Sequence, residues 1–156
     1  MNRALQTEMA EMPARKRIVD LLARATRPEL ETALAGLGDV PDHTLLRGPE
    51  TGLVMIRGRI GGGGAPFNLG EATMSRASIR LSDGRVGHGY RLGTDRKAAT
   101  LAALIDALAQ DASALATLEA GLFSDITARL EDEARQTREE TAATKVDFFT
   151  MVRGED

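Results

Sequence analysis

Four consecutive glycines, Gly61-Gly62-Gly63-Gly64, follow Arg57 and Arg59 and precede Ala65-Pro66-Phe67-Asn68-Leu69-Gly70-Glu71. Consecutive glycines can turn their backbone amides toward an anion, and flanking guanidinium groups add positive charge. Arg57, Gly61, Gly62 and Gly64 are therefore candidates for holding a phosphate. The run is not a Walker loop, because no Gly-Lys-Ser/Thr follows. It is not a dinucleotide fingerprint, because no helix obviously follows it. It also reads as a plain connection between two strands. Glu71 with Arg76 and Arg80 forms a second group. One carboxylate and two guanidiniums could bind a polyphosphate or orient a hydroxyl, or could pair on a sheet surface. His88 and Tyr90 alternate on one strand, where a histidine more often packs than acts as a base, and no Ser/His/Asp pattern stands out. Asp106, beside the apolar stripe of a helix, reads as a half-buried hydrogen-bonding residue.

The inventory excludes other chemistries. The 156 residues contain no cysteine, two histidines and five aromatic rings. A disulfide framework, an iron–sulfur site and a thiolate zinc site are excluded for this chain. So is a three-histidine metal site. Five rings are too few for a base-stacking platform. No apolar run approaches a membrane span, and the first eleven residues lack the apolar centre of a secretory signal. The expectation is a soluble, cytoplasmic protein with no membrane and no nucleic-acid partner. Charge is uneven: net −1 over residues 1–46, +5 over 47–97 and −7 over 98–156. A basic middle in an acidic chain can mark an anion site or a docking face.

The elements that must position these residues follow from periodicity. Met9 to Arg24 carries Ile18, Leu21 and Leu22 at helical spacing. Thr26-Arg27-Pro28-Glu29 is a capping box opening a helix with Leu30, Leu34 and Leu37, which Gly36, Gly38 and Pro41 stop. Thr44 to Arg47 is a short strand, Gly48 to Gly52 a turn, and Leu53 to Ile60 a strand with Val54, Ile56 and Ile60 on one face. Thr73 to Leu81 is the next strand, with Ala77, Ile79 and Leu81 opposite Arg76, Ser78 and Arg80. Ser82-Asp83-Gly84-Arg85 joins it to Val86–Leu92 in a hairpin. Gly87 and Gly89 leave one face of that last strand bare, so a backbone or ligand can come close. Thr94 is placed to cap a helix to about Gln110, with Ala98, Leu101, Ala102, Ile105 and Leu108 as its stripe. Ser113 and Ser124 are placed to cap two more, Ala114–Leu122 and Asp125 to about Thr144. The reading is one α+β domain over 1–156: helices over 9–37, a sheet over 43–92, helices over 94–144. The sheet is small and antiparallel, of three to five strands flanked by the N- and C-terminal helices.

The end of the chain, residues 145–154, is apolar and strand-like. Two of the four phenylalanines are adjacent there, and a frayed terminus would gain nothing from them. Val146, Asp147, Phe148, Phe149 and Arg153 are therefore candidates for docking, on the chain's own domain or on a partner by strand addition.

Taken in order, several segments resemble the PhnG subunit family of the bacterial carbon–phosphorus lyase system. They are Glu50-Thr51-Gly52-Leu53-Val54, Gly61-Gly62-Gly63-Gly64, Phe67-Asn68-Leu69-Gly70-Glu71-Ala72-Thr73, Ser75-Arg76-Ala77 with Arg80-Leu81, Asp83-Gly84, Leu92-Gly93, Asp95, Leu104-Ile105-Asp106-Ala107-Leu108, and the nonapeptide Val146-Asp147-Phe148-Phe149-Thr150-Met151-Val152-Arg153-Gly154. Gly63 and Ser75 stand where the family often has Thr, and Ala98-Ala99-Thr100 where it shows His-Ala-Glu. The resemblance implies a non-autonomous subunit of a core complex that displaces adenine from ATP with a phosphonate at the ribose 1-carbon. The product is alpha-D-ribose 1-methylphosphonate 5-triphosphate. It implies no cofactor on this chain: ATP and phosphonate are substrates of the complex, and the iron–sulfur cluster and S-adenosylmethionine belong to another subunit. The expected partners are the other core subunits, foremost the large PhnI subunit, with a homodimer open to the isolated chain. The alternative is a stand-alone phosphate- or nucleotide-binding module using the Gly61–Gly64 loop and the basic sheet.

Overall fold

The computed structural model of the protein describes residues 14–60 and 63–144. Two helices lead. Helix α1 spans Ala14–Arg24 and buries Ile18, Leu21 and Leu22. Helix α2 spans Arg27–Gly36 and starts at the expected capping box. The Glu29 amide donates to Thr26 Oγ1 at 3.4 Å, and the Thr26 amide donates to Glu29 Oε2 at 2.6 Å. Two otherwise unpaired amides are satisfied at once.

Three antiparallel strands follow in the order β1-β2-β3: β1 His43–Gly58, β2 Phe67–Leu81 and β3 Val86–Leu92. Gly84, at φ +94°, makes the tight turn between β2 and β3. The turn expected at Gly48–Gly52 is instead part of β1, which runs through it as one 16-residue strand. The chain bulges there rather than reversing: the register on β2 shifts between Arg47 and Glu50, and Gly48 takes φ +67°. A second shift, between Ile56 and Arg57, breaks the alternation expected for Leu53–Ile60.

The C-terminal half is helical: α3 Arg96–Leu108, α4 Ala112–Leu118, a wide π-helical turn Glu119–Phe123, and α5 Ser124–Ala143. Asp95, not Thr94, caps α3, accepting from the Ala98 amide at 2.9 Å. Asp111, not Ser113, caps α4 through the Ser113 and Ala114 amides. Ser124 caps nothing, because the helical path runs on through it from the π turn.

Helix α3 lies on the face of the sheet that carries Ser75, Ala77 and Ile79 of β2 with Gly87 and Gly89 of β3. The glycines set the approach. A Cβ on Gly87 would collide with Ala103 O and lie 2.6 Å from Ala107 N; one on Gly89 would collide with Ala99 O and lie 2.8 Å from Ala103 N. The backbone that the sequence left room for is this helix. With alanines facing the strand, α3 sits closer than larger side chains would allow. One buried cluster joins α1, α2, β2, α3, α4, the π turn and α5, the last three through Leu118, Phe123 and Ile126.

Asp106 on α3 is only 1% exposed and ties three elements together. It accepts from Arg15 Nη2 of α1 at 2.9 Å and from the His88 amide of β3 at 2.8 Å. Arg15 Nη2 and Gln110 Nε2 both donate to the Val86 carbonyl. Two outward backbone groups of edge strand β3, the Val86 carbonyl and the His88 amide, are thereby satisfied by side chains, which blunts the start of that edge.

Candidate functional site

The other face of the sheet carries Arg47 and Glu50 of β1, Arg76, Ser78 and Arg80 of β2, and Val86, His88, Tyr90 and Leu92 of β3. The apolar-rich side of β3 is thus the bare one, and its glycine side is the packed one. Tyr90 and Leu92 are exposed. Glu50 sits between two guanidiniums: Arg47 Nε donates to its Oε1 at 2.8 Å and Arg76 Nε at 2.6 Å. The hydrogen bonds from Arg47 and then Arg76 hold its carboxyl below the usual carboxylate range. Arg80 has no hydrogen bond or ion pair among the described residues.

Ser78 Oγ lies 2.9 Å from His88 Nδ1. A hydroxyl beside an imidazole is half of a nucleophilic arrangement. Among the described residues the other half is missing, because Asp106 reaches the His88 backbone amide and not its ring. Among the described residues no group of His, Cys, Asp or Glu could hold a metal ion.

The candidates read from the sequence scatter over this geometry. Arg76 and Arg80 share the bare face, but Glu71 pairs with Met55 and lies on the opposite face, so the three do not converge. Arg57 pairs with Asn68 near the far end of β1 and β2. Gly64 is exposed, its Cβ position 3.4 Å from the Ile60 carbonyl. Gly61 and Gly62 lie outside the described residues, as do Val146, Asp147, Phe148, Phe149 and Arg153.

Sequence reasoning missed a larger feature. Beyond the bulge, β1 and β2 continue as a two-stranded ribbon. Leu53 (64% exposed) and Met55 lie on one side and Ile56 on the other, Leu69 falls at the second register shift, and all four are exposed, with Phe67 exposed at the ribbon's end and Ile60 (79%) just beyond it. The signal was present: Leu53-Val54-Met55-Ile56 is apolar at every position. A half-buried strand alternates, so a run that does not alternate presents apolar side chains to both faces. Neither is buried here. The outer edge of β1 also pairs with nothing among the described residues.

Known proteins match the chain over most or all of its length. The family model described as phosphonate metabolism protein PhnG matches residues 13–154. A protein of Rhizobium meliloti (strain 1021), named alpha-D-ribose 1-methylphosphonate 5-triphosphate synthase subunit PhnG, is 57% identical over 156 residues, covering 100% of this chain and 99% of its own.

Proposed function

The chain belongs to the PhnG family of phosphonate metabolism proteins, and from that premise we propose that it works as a non-autonomous subunit of an alpha-D-ribose 1-methylphosphonate 5-triphosphate synthase within the carbon–phosphorus lyase core. In that reaction a phosphonate oxygen bonds to the ribose 1-carbon of ATP as the glycosidic bond breaks and adenine leaves. This chain contributes surfaces to the assembly. ATP and phosphonate are substrates of the whole, and the iron–sulfur and S-adenosylmethionine chemistry resides in another subunit.

The carrying observation is the β1–β2 ribbon. Its two apolar sides, with the open outer edge of β1, form a surface that a free protein leaves in water at a cost and an assembled one buries. The incomplete Ser78–His88 pair points the same way, since the described part of the chain holds no finished catalytic group. PhnI, as the large subunit, is the proposed partner. The tail residues Val146, Asp147, Phe148, Phe149 and Arg153 are proposed as a second contact. Arg57, Arg76 and Arg80, with the glycine loop, are proposed to face substrate phosphates at the interface.

Reconstitution tests this reading. The remaining core subunits, assembled without this chain, should form no ribose 1-phosphonate triphosphate from ATP and methylphosphonate, and adding the chain should restore it. Product at the full rate without the chain overturns the proposal. Phe149→Asp should weaken co-purification; unchanged assembly removes the tail from the interface.

A further inference from the structure

Helix α5 and the β1–β2 ribbon leave the body of the molecule at the same end. Arg15, early in α1, donates to the Val86 carbonyl beside the β2–β3 turn. Arg27, the first residue of α2, pairs with Asp95 at 2.8 Å. The next residue, Arg96, donates to Thr51 Oγ1 at 3.1 Å. So α1 runs from the turn toward the place where β1 enters the ribbon. Helix α5 runs the same way. Glu119, ahead of it, pairs with Arg17 at 2.6 Å, and Arg129 Nη2 within it donates to the Arg24 carbonyl at 3.0 Å. Because α1 lies against β3 and α5 against α1, α5 is on the β3 side of the sheet. Every residue from Arg135 to Thr144 is exposed. These last turns of α5, about 14 Å long, carry the chain out beside the ribbon. Twelve residues follow, Lys145 to Asp156, with an extended reach of about 40 Å.

On that side β3 stops short of the ribbon. It pairs with β2 from Arg80 only to Met74, and the Gly93 amide donates one more bond, to the Thr73 carbonyl at 2.8 Å. From Phe67 to Ala72, β2 pairs with β1 alone among the described residues. Phe67 and Leu69 in this segment are exposed, and a Cβ at Gly70 would meet nothing within 4 Å. We propose that residues 146–153 of the same chain add as a strand to this open edge of β2, in line with β3. An unpaired edge is a template for such addition, and a two-stranded ribbon is marginal in water until a third strand joins it. The tail has the right pattern. In an extended chain Val146, Phe148 and Val152 fall on one side and Phe149 and Met151 on the other. Both sides of the tail are apolar, as both sides of the ribbon are. A ring beside Gly70 covers backbone that the glycine leaves bare. The outer edge of β1 stays open for a partner, so the proposal concerns the free chain and does not rest on the subunit reading.

The chain has no cysteine, so a nitroxide attached through Gly154→Cys marks the tail alone. In the free full chain it should strongly broaden the amide NMR signals of Asn68–Ala72 and leave those of Ser82–Arg85, at the other end of the sheet, sharp. Phe148→Ser with Phe149→Ser should abolish that broadening and speed hydrogen exchange of the edge-facing amides in Asn68–Ala72 at least tenfold. Circular dichroism confirms that this variant is folded. No preferential broadening of Asn68–Ala72 overturns the proposal, as do unchanged broadening and exchange in the double variant. Mixing nitroxide-bearing chains with isotope-labelled chains that lack the nitroxide should give no broadening. Broadening there as strong as within one molecule places the tail on a second copy and overturns the proposal. If the nitroxide stays clear of the ribbon while Phe149→Asp still lowers co-purification, a sister subunit takes the tail: this proposal fails and the subunit reading stands.

Discussion

Strand β2 passes through two different environments. From Ser75 to Leu81 its odd-numbered side chains meet helix α3 and are buried; at Glu71, opposite exposed Met55, the same side is in water. The alternation is the same in both halves, and what differs is whether anything lies across the face. In the covered half the residues are small where the helix comes close and branched where it does not. In the ribbon Leu53, Met55, Ile56 and Phe67 are large, apolar and exposed. Burial of apolar area stabilises a fold by about 25 cal/mol per Å² only where water is removed. The covered half therefore holds the protein together, and the ribbon leaves its apolar surface in water.

The sharpest way to break that comparison is to put the same side chain into each half. Gly89→Val should destabilise by about 3 kcal/mol or more, because even its Cβ overlaps the α3 backbone, which cannot step aside as a side chain can. Gly70→Val in the ribbon, where a Cβ meets nothing within 4 Å, should change stability by no more than about 0.5 kcal/mol. Urea midpoints read both. Equal effects would mean that α3 does not rest on β3.

Next in size is the clamp that fastens the covered half. Asp106→Ala leaves the His88 amide and the Arg15 guanidinium without their acceptor. Arg15 is half exposed and can turn to water, so the loss should be about 2 kcal/mol, below the range for a fully buried pair. Asp106→Asn keeps an acceptor and should cost less. A loss under about 0.5 kcal/mol in the alanine variant would remove Asp106 from the structural account.

These two tests probe features of unequal legibility. The bare side of Gly87 and Gly89 announced a close backbone, and the Thr26–Glu29 box and the Ser82–Arg85 turn were readable because each is specified within four residues. Asp106 was read as half-buried and proved almost wholly so, since its burial depends on α1 arriving from some ninety residues away. Gly48-Pro49 was misread because a glycine–proline pair can reverse a chain or bulge it, and the partner strand decides. Glu71 was grouped with Arg76 and Arg80 by nearness in sequence, although an odd position and two even ones on a strand must part company.

A smaller effect is expected at the seam between the helices. Burial alone would raise the Glu29 carboxyl; hydrogen bonds from Arg129 and from Thr26 outweigh it, leaving the folded pKa below its ordinary 4.5. A carboxyl depressed on folding adds stability that is complete above its unfolded pKa and drains away as pH falls through the folded one. Glu29→Gln should therefore cost about 1 kcal/mol at pH 7, and the gap to wild type should close between pH 5 and pH 3. A gap that stays constant over that range would show that the carboxylate charge is not what matters there.

The smallest effect on the free chain is expected in the ribbon, and it is the most informative. Leu53→Gln with Met55→Lys replaces exposed apolar groups, and the lysine comes to lie opposite Glu71. Nothing in the described fold loses a buried contact, so the urea midpoint should move by less than about 0.5 kcal/mol equivalent. If the ribbon is an assembly surface, the same double variant should lower co-purification with the other synthase subunits at least tenfold, because burying a lysine at the interface costs desolvation even with Glu71 opposite it. Stability and assembly should thus separate in the ribbon and move together in the covered half, where Gly89→Val damages both. A double variant that unfolds would place the ribbon in the chain's own core. One that folds and assembles like wild type would leave the two apolar sides without a purpose in the complex.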